Sequence, residues 1–140
     1  MAHGAPDYSG MKVDVVSRPE WAAKEATDKN FLGTATTQAR LGSATVIYAV
    51  TSDEALYITQ LACAIYATAA ADADLNQMGS MRVYDATDGV ALFVQGVNGG
   101  AGIPFNKSLV IPTGHTVWIQ AYNLSNHNCE LVISAGGYEK

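Results

Sequence analysis

The sequence predicts an all-β protein, an antiparallel sandwich or barrel preceded by an extended N-terminal arm. Short apolar, β-branched runs recur with a two-residue period. The segments between them are rich in Gly, Asn, Asp and Pro, and residues 1–43 do not read like the rest. The strand-like runs cover 45–50, 56–67, 81–85, 90–95, 107–112, 116–122 and 129–134, which divides the chain into an arm over 1–43 and a β-domain over 44–140.

Within the arm, Met1–Gly10 is punctuated by Gly and Pro and has no periodicity. Met11–Val16 reads as a short strand stopped by Arg18-Pro19, Trp21–Leu32 is helix-tolerant for a turn or two, and Gly33–Gly42 is Thr- and Ala-rich with little to bury. Tyr8, Trp21 and Phe31 are too sparse to build a core yet too apolar for a freely solvated tail. With Arg18 they form the expected contact set to a neighbouring protein, since aromatics and Arg most often anchor interfaces. The competing reading folds the arm back over its own sandwich, where it would cover a sheet edge.

Ala44–Val50 is β-branched and bounded by polar residues, hence a strand. Ala55–Ala67 reads two ways. As a helix it places Ile58, Leu61, Ala62 and Ile65 on one face behind Thr51 and Glu54 in capping-box positions. As a strand it alternates Tyr57, Thr59, Leu61, Cys63 and Ile65 against Leu56, Ile58, Ala62 and Ala64. The strand is preferred, because a strand ending in a polar four-residue turn precedes it.

Ala69–Gln77 is small and polar; Asp72 and Asp74 lack the rest of a calcium loop. Met81–Asp85 and Val90–Gln95 flank Ala86–Gly89, whose Asp-Gly pair signals a hairpin. Gly96–Gly102 reads as a flexible loop. Ser108–Tyr122 is a second hairpin, with Pro112 expected at the second place of its turn and Gly114 behind it. Cys129–Ser134 closes the set. Val46, Ile58, Val83, Phe93, Val117, Ile119, Leu131 and Ile133 are the expected buried residues.

Chemistry is sparse. His3, His115 and His127 stand far apart in arm or turn positions, and His115 is read as an exposed turn residue rather than a base. No Gly-x-Ser-x-Gly elbow occurs, neither cysteine has an activating His beside it, and the acidic residues fall in turns where solvent should keep their pKa ordinary. No catalytic residue, cofactor or metal is expected. Cys63 and Cys129 read as two buried thiols, with a disulfide as the alternative. The 140 residues carry a net charge of −5 with only 15% charged side chains, which speaks against a nucleic-acid partner. No apolar run reaches the length of a membrane span and no charged-then-apolar leader opens the chain, so a soluble, unexported protein without a membrane partner is expected. Apolar residues in both phases of several strands point to outer faces covered by another subunit, a dimer first.

The order Thr45–Val50, polar turn, Leu56-Tyr-Ile-Thr59, then Leu109-Val-Ile-Pro-Thr-Gly-His-Thr-Val-Trp-Ile119 and a terminal Gly-Tyr-Glu resembles the small jelly-roll proteins of tailed-phage virions. The opening Met-Ala-His-Gly-Ala-Pro-Asp-Tyr is similar to phage structural proteins too. Among these, capsid decoration (cement) proteins of the kind found in Bordetella-type short-tailed phages come nearest in chain size and arm. The resemblance covers about residues 44–138 and departs at Thr51-Ser-Asp-Glu54, where Pro-Ser-Gly is commoner. It implies a jelly-roll sandwich without enzymatic activity, made in the host cytoplasm and bound to the outside of the capsid, where it bridges major capsid protein subunits as a homo-oligomer. The alternative within the same virion class is a head-fibre or tail-fibre tip that binds a receptor or glycan, with Tyr122-Asn-Leu-Ser-Asn-His-Asn128 as its candidate loop.

Overall fold

The computed structural model describes residues 25–140. Eight strands account for about two thirds of them: β1 (Thr27–Gln38), β2 (Ser43–Ala49), β3 (Leu56–Ala67), β4 (Met78–Asp85), β5 (Val90–Asn98), β6 (Gly100–Ile111), β7 (Thr116–Asn123) and β8 (Cys129–Glu139). They form two four-stranded antiparallel sheets with orders β1-β8-β3-β6 and β2-β7-β4-β5. Successive strands alternate between the sheets except at the β4–β5 hairpin, and the first strand lies beside the eighth. This is the eight-stranded jelly roll.

The core lies between the sheets and follows from alternation. Ile58, Val83, Val117, Ile119, Leu131 and Ile133 are fully buried, as expected; Val46 and Phe93 pack half-buried against the same cluster. The segment 55–67 is strand β3, since Leu56, Ile58, Leu61, Cys63 and Ile65 all enter the core. A bulge between Ile58 and Gln60 supplies the one-residue slip in that series.

Two expectations are corrected. Residues 27–38 are neither helix-tolerant nor arm; they form β1, an edge strand antiparallel to β8. Gly33 explains how so Thr-rich a segment fits. It is buried where β1 crosses the facing sheet, and a Cβ there would stand 3.0 Å from Ile133 Cγ2 and Val46 Cγ2. The fold-back reading thus describes 27–38, while residues 1–24 lie outside the described residues.

Gly96–Gly102 is not a loop either. β5 runs on to Asn98 and β6 begins at Gly100, with Gly99 (φ +77°) turning the chain between them. The expected hairpin over Ser108–Tyr122 is a turn between sheets instead, since β6 belongs to the first sheet and β7 to the second. In that turn the His115 N–H donates to the Pro112 carbonyl at 3.1 Å, so Pro112 opens the turn rather than standing second in it, and Gly114 (φ +76°) takes the left-handed place. Cys63 and Cys129 are free, buried thiols, and burial pushes both up in pKa.

Candidate functional site: the outer face of the second sheet

Strand register places Ile47 opposite Trp118 and Trp118 opposite Tyr84. One pair along, Thr45 faces Gln120, Gln120 faces Arg82, and Arg82 faces Val94. One further, Ser43 and Ser80 flank Tyr122. Residues paired across strands share a face of the sheet, and this face is the one turned away from the core. Ile47 is 64% exposed and Val94 59%, so large aliphatic side chains lie open beside half-buried aromatic rings.

The four strands of this sheet hold two charged residues, Arg82 and Asp85. Asp85 is buried in the direction of the turns. Arg82 is the single charge that these four strands present on the outer face, and it is held in place from several sides. Its guanidinium lies 4.5 Å from the Tyr84 ring centroid and 5.3 Å from that of Tyr122. Its Nε donates to Gln120 Oε1 at 2.6 Å, an oxygen that also accepts from the Tyr122 hydroxyl at 2.9 Å. Gln120 Nε2 in turn donates to Thr45 Oγ1 at 3.0 Å. Tyr84 and Trp118 meet at 5.6 Å, tilted by 48°. The result is a rigid patch of Trp, Tyr and Arg, the residue types that dominate binding energy at protein interfaces.

The outer face of the first sheet is of another kind. Tyr57 and Tyr138 stack at 4.9 Å with ring planes 12° apart. Beside them runs a groove of about 580 Å³ lined by Asn30, Gln60, Ala62, Gly102, Pro104 and Ser134. Phe31, Leu61, Ile103 and Ala135 also line it, and no charged residue does.

Two polar links lie at the margins. Asp85 ends β4: its Oδ1 accepts the N–H groups of Thr87 (3.0 Å) and Asp88 (3.2 Å), and its Oδ2 meets His115 Nδ1 at 2.8 Å. Burial alone would raise this carboxyl, but the His115 bond and the two N–H donors outweigh it and hold the group below its ordinary value. His115 is therefore no free turn residue, and Asp85 is no solvated one. Asp88 brings a third possible ligand atom, its Oδ2 3.8 Å from His115 Nδ1. Both oxygens of Asp85 are already committed, so the trio acts as a clasp between two turns. The second link joins the Tyr48 hydroxyl to Glu139, with burial first and the carboxylate second pushing the phenol up to about 12.

The loop after β7 spends its polar groups internally. Asn123 Nδ2 donates to the carbonyls of Gln38 (2.8 Å) and His127 (2.9 Å), and Asn123 Oδ1 accepts the Ser125 N–H. Ser125 Oγ donates to the Met78 carbonyl, His127 Nε2 meets Gln77 Oε1 at 2.7 Å, and Asn126 Oδ1 accepts from Arg40. Few groups remain to read a sugar.

Of the contact residues read from the sequence, Tyr8, Arg18 and Trp21 lie outside the described residues. Phe31 lies on β1 and packs inward, 5.1 Å from the Tyr48 ring, so it is part of its own sandwich rather than a free anchor. Sequence reasoning missed Arg82, Tyr84 and Trp118, and read Tyr122 only as part of a candidate receptor loop. Their signal was the i, i+2 spacing within each strand, which puts polar-aromatic pairs on one face; the register that joins the two strands was not readable.

No protein-family model and no curated protein matches the sequence. Among solved structures, the Drosophila NLP core, described for pentamer formation and histone binding, is similar over 83% of this chain and 99% of its own, at 16% identity and TM-score 0.35. The virus-like particle of the extra small virus of the prawn Macrobrachium rosenbergii is similar over 86% of both chains, at 12% identity and TM-score 0.30. The infectious bursal disease virus VP2 subviral particle is similar over 82% of this chain and 41% of its own, at 7% identity and TM-score 0.29. At these identities and TM-scores the likenesses carry no argument about what this chain does.

Proposed function

We propose that this chain is a non-enzymatic structural protein of a virion, bound to the outside of a phage capsid, where it bridges and stabilises major capsid protein subunits. The observation that carries the reading is the outer face of the β2-β7-β4-β5 sheet, with Ile47, Trp118, Tyr84 and Val94 around a single charge. Leaving such side chains wet forgoes roughly 1.5–3 kcal/mol for each one fully buried, so the face is built to be covered. The jelly roll and the sequence resemblance to phage cement proteins support the same role. Tyr8, Arg18 and Trp21 add contacts to the shell from the segment before β1.

The receptor- or glycan-binding alternative loses its candidate loop, because the side chains of Asn123, Ser125 and His127 are engaged within the fold. Cosedimentation of the purified protein with undecorated shells, together with its copy number in the virion by mass spectrometry, tests the proposal. Hundreds of copies and saturable binding are expected; a handful of copies would point to a fibre instead.

A further inference from the structure

We infer that Arg82 is the anchor of a docking site for a partner segment that presents one carboxylate among apolar side chains. The inference rests on the reading above and names the chemistry of the shell surface this protein meets. The guanidinium offers five N–H donors. One, on Nε, is taken by Gln120; among the described residues no other acceptor reaches it. It is not swinging free, because two tyrosine rings flank it and Gln120 is itself fixed by Tyr122 and Thr45. A guanidinium already immobilised loses little further entropy on binding, and its planar fork matches a carboxylate with two parallel bonds.

The surroundings define the rest of the partner. Val94 lies on one side of Arg82 across the β4–β5 pair, and Ile47 and Trp118 lie one pair away, with no further charge at the outward positions of these strands. An acidic residue flanked by aliphatic ones fits this pattern. A phosphate or a polyanion does not, since one cation cannot neutralise it. A second copy of the same face fits no better. β2, β5 and β7 carry no carboxylate, and that of β4, Asp85, is buried against His115, so self-docking would bury two guanidinium groups with no counter-charge.

The test uses the full chain with two probes. In the first, N-acetyl-L-leucine and N-acetyl-L-leucinamide are titrated separately while the Arg82 Nε–H and Trp118 indole N–H resonances are followed. The acid should shift both with weak, saturable affinity, the amide should bind about tenfold less tightly or worse, and Arg82→Gln should abolish the difference. Arg82→Lys keeps the charge but not the fork and should lie between. Equal binding of acid and amide, or an Arg82→Gln protein that still prefers the acid, overturns the inference. In the second, wild type and Arg82→Gln are cosedimented with undecorated shells, after circular dichroism has shown that both are folded. A loss of about tenfold or more is expected. If both bind alike, this inference fails while the structural role stands. If wild type does not bind shells, the proposed function fails, and the titration alone decides whether the carboxylate site exists.

Discussion

The hydroxyl of Tyr48 donates to the carboxylate of Glu139, tying β2 of one sheet to β8 of the other. Glu139 is only 2% exposed, so this bond is a main source of its solvation. Tyr48→Phe is expected to cost about 1–3 kcal/mol, the penalty of a buried carboxylate left without its donor. Denaturant unfolding at pH 7 with an unchanged m-value is the measurement.

The same pair fixes the alkaline limit. The folded phenol titrates near 12, above its unfolded value of about 10, so its contribution is fully present below pH 10 and is lost as pH rises through 12. Stability curves of wild type and Tyr48→Phe should therefore converge over that window. Parallel curves would show that Tyr48 is not responsible.

At the acid end the clasp of Asp85 and His115 governs. The folded carboxyl sits below its ordinary value, so its contribution is present above the unfolded pKa of about 3.9 and is lost as pH falls from there through the folded value. Asp85→Asn should lower stability at pH 7 by about 1–3 kcal/mol and flatten the decline below pH 4. Thermal melts from pH 2 to 7 would reveal it.

Much of this fold could be read before any coordinates, because burial on one side of a strand writes a two-residue period into the chain. That period identified β2, β4, β7 and the first half of β8, while 56–67, whose apolar residues fit both periods, was read as a strand from the strand and polar turn before it. It failed at β1, where Gly33 and a run of threonines hid a strand whose tight crossing needs a missing side chain. It failed again at Gly96–Gly102, whose glycines serve a one-residue turn at Gly99 rather than a loop. The docking face was less legible still. Arg82 and Gln120 are 38 positions apart, and only the register of β4 on β7 brings them together. Asp85 and His115 are joined in the same way, by topology rather than by spacing.

Glycines in the first sheet separate into spatially required and incidental ones. A Cβ on Gly137 would collide with the Tyr57 carbonyl at the β3 bulge, whereas one on Gly102 would meet only Ala62 Cβ at 3.7 Å. Gly137→Ala should destabilise by about 3 kcal/mol or more, and Gly102→Ala should change stability by no more than about 1 kcal/mol in either direction. Chemical denaturation of the two variants side by side checks this.

Truncation distinguishes the edge strand from what precedes it. A chain starting at residue 25 keeps every described backbone pairing and should retain its melting temperature. One starting at residue 39 loses β1, bares the flank of β8 and should aggregate or melt at least about 5 °C lower. Equal melting of the two would show that β1 contributes nothing to stability.

β1 pairs with a strand that is made more than a hundred residues later, Thr27 against Glu139. During synthesis the first edge of the sandwich must therefore wait, without a partner, until nearly all of the described chain has emerged. β3 waits less for its first partner, β6, with Leu56 against Ile111, but its other flank also stays open until β8 is made. Contacts of such long range make for slow folding and prolong the exposure of unpaired strands. A ribosome that stalls before Cys129 releases a chain in which β1 has nothing to pair with, whatever the quality of the core already assembled.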